Sequence, residues 1–360
     1  MADIMTDTYT YDALAKKYDD FCVPLIKVKQ NGTDLVSTMK LAIMDLKINL
    51  SLDAANMVIF KLGGLYDEEN HAFDSKVKNA FALGNIMEVE LGYMSSSLNI
   101  FKGFVAMIGA EFSTTPFLVV TLMDVRRLMM VSGRRYMLHE VVNYSDAFKA
   151  VMGKYSKLCS LEIDVTDDGL DKPLSQAGND YFFVTRELID KGKADREFFA
   201  LGSKVYFRQP RKEKQPVMTL RYGRELLALK IDEEYQDIEI EVIGYDAKAQ
   251  DAVRSSAAVE KNSTQKKIIS DTQAFILTDP FADTKKKADE KAKQIADEKK
   301  WRACSGHGIT IGLPELVPGR FVGVELLEED YGDHKYYIKS VVHEINDGSF
   351  QTVFEIGGWV

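Results

Sequence analysis

The sequence predicts an α+β chain that is mainly β: two similar β-barrel domains, a small α+β domain and a charged helix. Three observations predict it. Short apolar or alternating runs, separated by glycine-bearing turns, fill residues 21–130 and return at 216–254 and 305–360. The period becomes helical between 131 and 215. Two blocks near opposite ends of the chain also echo each other. A chain of 360 residues accommodates roughly two or three domains, and 46% apolar residues suffice to fill their cores.

The N-terminal extension, residues 1–20, carries acids and no apolar run, so no secretory leader is expected. The first barrel spans 21–130. Its "VPLIKVKQNGTDL" contains Asn31-Gly32, a hairpin signal because both residues tolerate positive φ. "MVIFKLGG", "IMEVELGYM", "LNIFKGFVAMIGAEF" and "FLVVTLMD" are its further strands, interrupted by the polar "DEENHAFDSKVKNAF".

The α+β domain spans 131–215. "SDAFKAVMGKYSKL" sets Phe148, Val151, Met152 and Tyr155 at helical spacing behind Ser145 as N-cap. "SLEIDV" reads as a strand. "AGNDYFFVTRELIDKG" reads as a second helix, capped by Asn179 or Asp180 and ended by Gly192. "REFFALGSKVYFRQPR" returns to strand and turn.

The second barrel comprises 216–254 and 305–360, with 255–304 inserted as a linker and charged helix. In "TKKKADEKAKQIADEKKWR", Asp289–Lys293 and Glu298–Arg302 are i,i+4 pairs, and Ala288, Ala292, Ile295 and Ala296 form a narrow apolar stripe. Near-balanced charge marks a solvated helix or an inter-subunit strut. In "SGHGITIGLPELVPGRFVGVE", glycines allow a turn, Pro314 and Pro318 fix φ, and Gly319 suits positive φ before the strand of Phe321, Val322, Val324 and Leu326.

The echo aligns "IMEVEL" (86–91) with "FVGVEL" (321–326), an offset of 235, and "IFKGFVAMI" (100–108) with "YIKSVVHEI" (337–345), an offset of 237. "FLVVTLMD" and "FQTVFEIGG" follow in turn. Chance likeness between alternating strands competes with the sharper reading, one barrel module used twice. Two equivalent modules per chain would adapt threefold to sixfold symmetry.

The net charge of −9 opposes sequence-independent nucleic-acid binding. Cys22, Cys159 and Cys304 are too scattered for a disulfide framework, which suits synthesis in a reducing cytoplasm. No run of 18 apolar residues offers a helical membrane span. Gly306, Gly308 and Gly312 miss the G-x-G-x-x-G spacing, and a helix precedes them where a dinucleotide loop needs a strand. Cys304 and His307 have C-x-x-H spacing, but His334 and His343 do not supply a second close pair. "HEVVN" (139–143) places Asn143 where a zinc protease needs histidine. No local context isolates a carboxylate pair, and Cys159 has no evident basic partner. Asn31-Gly32-Thr33 fits a glycosylation acceptor, but the hairpin explains it. No catalytic, cofactor-binding or metal-ligating residue is therefore expected, and no cofactor.

Five stretches in order carry a family resemblance. They are "YDALAKKYDDFCVPLIKVKQNG"; "EVELGYMSSSLNIFKGFV", with Gly92-Tyr93 and then Gly103 in F-x-G-x-V; and "QAGNDYFFVTRELIDKG" followed by "KVYFR". Next come "GLPELVPGRFVGVE", with Gly312, Pro314, Pro318 and Gly319 in G-x-P-x-L-x-P-G, and "YYIKSVVHEINDGSFQTVFEI". Together they resemble the phage late control gene D family, baseplate hub proteins of contractile tails related to the N-terminal part of VgrG spike proteins. "DEENHAFDSKVKNAF" and residues 255–283 match least well.

The resemblance implies barrels of tail-tube type and a structural, non-enzymatic homotrimer. It would sit between the tail tube protein and the central spike protein, touch other baseplate proteins, and seed the tube. It implies no membrane span and no specific nucleic-acid binding, with DNA or cargo passing through a lumen that acidic residues would keep from sticking. Synthesis would occur in the host bacterial cytoplasm, with assembly into the baseplate of a phage or phage-like particle. The alternative is a tail-associated peptidoglycan hydrolase or carbohydrate-binding module. It would need two carboxylates about 5–10 Å apart or an exposed aromatic platform, which the positions of Trp301 and Trp359 do not suggest.

Overall fold

Asn31 and Gly32 have φ of 49° and 82° in the computed structural model, which describes residues 3–133, 135–166, 169–170, 172–191, 196–260, 266, 268, 273–326, 331 and 334–359. They turn β1 (Pro24–Gln30) into the short β2 (Thr33–Asp34). Helix α1 (Tyr11–Lys17) precedes this hairpin and α2 (Leu35–Thr38) follows it. Then come β3 (Ala42–Ser51) and β4 (Met57–Gly63). The polar excursion folds as a ribbon, β5 (Tyr66–Asp67) with β6 (Ala72–Phe73), and helix α3 (Ser75–Ala80) capped by Asp74. β7 (Ile86–Tyr93), β8 (Ser96–Glu111) and β9 (Phe117–Met123) complete the first half.

The middle segment holds α4 (Val125–Val131), β10 (Arg135–His139), α5 (Tyr144–Met152), β11 (Ser160–Ile163) and β12 (Leu174–Gly178). After them come α6 (Asp180–Phe182), β13 (Glu197–Leu201) and β14 (Lys204–Arg208). β11 runs parallel to β14, and β13 antiparallel to it. Phe148, Val184, Leu188 and Phe207 fill the core between this sheet and the helices. Ser145 is not the cap of α5. Asn143 is, its Oδ1 accepting from the Asp146 amide at 2.8 Å while the Ser145 hydroxyl also donates to it. Asn179 caps α6, which continues as a π-helix over Phe183–Lys191. Gly192, the expected end of that helix, lies outside the described residues.

The C-terminal half contains β15 (Pro216–Arg221), β16 (Leu226–Glu233), β17 (Ile238–Asp246), β18 (Asp251–Ala258) and β19 (Gln273–Thr278). Helix α7 (Lys285–Arg302), β20 (Cys304–Ile311), β21 (Phe321–Glu325), β22 (Lys335–Asn346) and β23 (Ser349–Trp359) follow. β17 departs from the expectation that 238–254 belongs with the C-terminal strands. It pairs with β18 and β19 in a separate sheet, so 273–278 is a strand and not linker. Ala288, Ala292 and Ala296 of α7 pack on Ile240 and Val242 there. Small residues let the helix approach, and a Cβ on Gly244 would stand 1.8 Å from the Ala282 carbonyl oxygen. Glu298 meets Arg302 at 3.9 Å, whereas Asp289 accepts from the Ser255 hydroxyl.

The main sheet orders six N-terminal strands as β1-β7-β8-β9-β4-β3 and six C-terminal strands as β15-β21-β22-β23-β20-β16. The two sets correspond strand for strand, in chain order as well as in space. β1–β7 is antiparallel and β15–β21 parallel, the one departure in direction. No closed barrel forms among the described residues. β3 pairs instead with β22, and with β2 the two sets make one 13-stranded sheet over a shared core. The ladders also correct the echo. Ile86 faces Phe104 and Phe321 faces Tyr337, so the second strand's offset is 233 (104 to 337), four less than the sequence match. An even slip keeps the same side chains on each face, which is why alternation alone could not detect it.

Candidate functional site

The loop Gly312–Arg320 is buried at every residue, although it contains Glu315 and Arg320. Leu313, Leu316 and Val317 point into the main core and draw the loop inside. A buried charge is tolerable only with partners, and here the partners come from distant parts of the chain. Glu315 Oε1 accepts from the Tyr18 hydroxyl at 2.7 Å and from Lys17 Nζ at 2.8 Å. Arg320 donates to the carbonyls of Ile4, at 2.5 Å, and Asp7, at 2.8 Å. Arg208 donates to the Gly319 carbonyl at 2.5 Å, and the Tyr93 hydroxyl to that of Gly312 at 2.8 Å. The loop thus clamps the N-terminal arm, both strand sets and the middle segment.

Burial, reinforced by Glu315, pushes the Tyr18 hydroxyl far above the usual tyrosine range and raises Tyr9 to about 12. Burial lowers Arg320. Beside the loop, Glu197 lies between Arg208 Nε, at 2.7 Å, and the Tyr337 hydroxyl, at 2.5 Å. Burial lifts Glu197 against the pull of Arg208. Burial also opposes the Arg208 charge, but Glu197 outweighs it and leaves Arg208 raised.

Five of the seven motif residues meet here, and Gly92 is the chain neighbour of one of them, Tyr93. Gly92 lies in the β7–β8 hairpin, where a Cβ would come within 1.9 Å of the Ser96 carbonyl oxygen. Tyr93 stacks on Phe350 at 5.4 Å, and a Cβ on Gly312 would enter that same ring. Gly319 has φ +85°, and Pro314 and Pro318 lie inside the buried loop. Gly103 stands apart, where β8 passes against the Met123 carbonyl. Sequence reasoning missed Glu315, Arg320, Tyr18, Arg208 and Glu197. A lone charge inside an apolar, proline-bracketed run such as "LPELVPGRF" was the available signal.

Gly306 and Gly308 do not form the expected turn. They lie within β20, where a Cβ would strike the Lys230 carbonyl and the Phe354 ring. Cys304 is buried and His307 exposed, three residues apart on a strand and so on opposite faces. His139 bonds Gln176 at 2.9 Å and stacks on Phe183. Burial raises Cys159 and Cys304 to about 11, away from thiolate chemistry. Trp301, half-buried, packs toward Phe321 and Tyr337. Among the described residues no group of three or more His, Cys, Asp and Glu side chains could hold a metal, and no helix is long and apolar enough to cross a membrane.

The fold is one shared with solved phage-tail proteins. It superposes on a tail protein from Neisseria meningitidis MC58 with TM-score 0.68 at 12% identity, covering 93% of this chain and 97% of that one. The 43 kDa tail protein of prophage MuSo2 from Shewanella oneidensis gives 0.69 at 12% identity, over 92% and 98%. A chain of the half-lidded Francisella PdpA-VgrG complex gives 0.58 at 9% identity, over 93% and 57%. No curated protein matches the chain. The chain belongs to the Alg8 N-terminal domain family, whose model matches residues 22–347. That description differs from late control gene D, so the narrower kinship stays a matter of resemblance.

Proposed function

We propose that the chain is a structural baseplate hub of a contractile tail or injection particle, of the late control gene D kind. In this reading a homotrimer joins the central spike to the tail tube, and six strand sets of tail-tube type seed a sixfold tube. One observation carries the proposal: the same six-strand order occurs twice in one chain, with the same connectivity. Likeness to tail proteins and to a VgrG-complex chain supports the same class. The buried loop around Glu315 and Arg320 supports a rigid part, because it locks the segments together through paired charges. Function would then lie in shape and interface, with contacts typically above about 2,000 Å².

Light scattering of the purified chain, alone and mixed with candidate spike and tube proteins, tests this. A mass of three chains is expected. A monomer under every condition would overturn the proposal. A cell-wall zymogram addresses the hydrolase alternative, and a cleared band would favour it.

A further inference from the structure

The β3–β22 junction has a counterpart whose two halves are both open. Within the chain, Lys47 faces Glu344 across that junction, Nζ to Oε1 at 2.6 Å. The junction joins the last strand of the first set to the hairpin strand of the second. By the internal repeat, the corresponding surfaces are β16, last strand of the second set, and β8, hairpin strand of the first. Among the described residues neither carries a second ladder there. β16 ends the sheet beside β20, and β8 beyond Val105 pairs only with β9; on its other edge the last bonds are at Val105, whose carbonyl accepts from the Gly84 amide and whose amide donates to the Asn85 carbonyl.

The ladders fix which residues correspond. The offset of 233 carries Ile108 onto Val341 and Glu111 onto Glu344. Ile108 faces Val120, Val120 faces Phe60, and Phe60 faces Leu46. Val341 faces Phe354, Phe354 faces Gly308, and Gly308 faces Leu229. Leu46-Lys47-Ile48 therefore falls on Leu229-Lys230-Ile231, the same three residues. Lys230 and Glu111, both exposed, stand where the paired Lys47 and Glu344 stand.

We infer that β16 of one copy pairs antiparallel with residues 107–112 of a second copy, with Lys230 opposite Glu111. Leu46 faces Ile345 at the internal junction, so Phe112 would lie over Leu229. The Phe112 ring meets those of Tyr66 and Phe73 within the chain and is still 68% exposed. An open groove of about 570 Å³ beside β16, lined by Tyr222, Leu227, Leu229, Ile231, Leu326 and Tyr331, gives it an apolar seat. In the single chain Lys230 pairs with Asp232 at 2.5 Å, a neighbour it would share with or leave for the incoming carboxylate. The two surfaces differ, so the contact is head-to-tail and propagates until rotation closes a ring. Three copies would alternate internal and intermolecular junctions around six strand sets.

This inference rests on the homo-oligomeric hub reading and supplies its interface. The test uses the full chain with Lys230→Glu, Glu111→Lys and both together. Each single reversal is expected to weaken assembly on the order of tenfold or more, because like charges would face each other. The double exchange is expected to restore it. In a Cys22→Ser background, Glu111→Cys with Lys230→Cys should form inter-chain disulfides on oxidation, giving cross-linked dimers and trimers, since directly opposed strand residues lie within disulfide reach. Trimers that ignore both reversals and never cross-link would overturn this interface and leave the trimeric hub standing. A chain that stays monomeric alone and with its partners would overturn both.

Discussion

The Tyr93 hydroxyl donates to the Gly312 carbonyl across 2.8 Å, joining two motifs 219 residues apart in the chain. Neither motif names the other in sequence. Their meeting makes the loop 312–320 a clasp between the strand sets, and it leads to a first expectation. Tyr93→Phe leaves a buried carbonyl without its donor and should cost about 1–2 kcal/mol. A urea midpoint unchanged from wild type would show that the bond contributes nothing.

The N-terminal arm should matter through Arg320. Deleting residues 1–8 removes the Ile4 and Asp7 carbonyls that receive the buried guanidinium. A loss of about 3–5 kcal/mol is expected from a buried charge stripped of partners. Arg320→Met in the shortened chain should recover part of that loss, because it removes the stranded charge. An additive or worse double variant would refute this account.

Stability should fall in mild acid because of His343. Its ring is fully buried beside the Thr352 hydroxyl, 2.9 Å from Nδ1, and burial holds its pKa at about 3. An unfolded histidine titrates near about 6.5. Below that value the unfolded chain binds a proton that the folded chain refuses. Stability is therefore full above pH ~6.5 and declines as pH falls toward 3, by about 1.4 kcal/mol per unit. His343→Gln should flatten the decline between pH ~6.5 and ~5. Asp164 and Asp180, where burial is outweighed by hydrogen bonds and nearby charge together, led by Lys212 and Lys154, add their losses only as pH falls through the carboxylate range.

The β17–β19 unit should loosen without the rest. Gly244→Ala drives a methyl into the Ala282 carbonyl, a backbone contact that cannot swing aside. Hydrogen exchange should accelerate over 238–258 and 285–302 while 42–63 and 117–123 keep their protection. Uniform acceleration would mean that the inserted sheet is not a separate cooperative unit.

Thiol labelling at pH 8 should stop at one equivalent. Cys22 is exposed, whereas Cys159 and Cys304 are held at about 11 by burial. Both should react once urea unfolds the chain. Rapid labelling of three thiols in the native protein would contradict the packing around β11 and β20.

Local order alone determined a good deal. Alternation marked the strands of the main sheet, Asn31-Gly32 marked its first hairpin, and the spacing of Ala288, Ala292 and Ala296 marked the face that α7 buries. These features depend on neighbours within a few residues, where period and φ preference act directly. The tertiary structure decided the rest. A strand's period sets which face is buried but not which strand lies beside it, so the β3–β22 junction, the four-residue slip in the echo and the separate β17–β18–β19 sheet were invisible. Glu315 and Arg320 were invisible for a related reason. Burying a charge is feasible only where partners converge, and theirs lie about 300 residues away, in an N-terminal arm that looked like a polar extension.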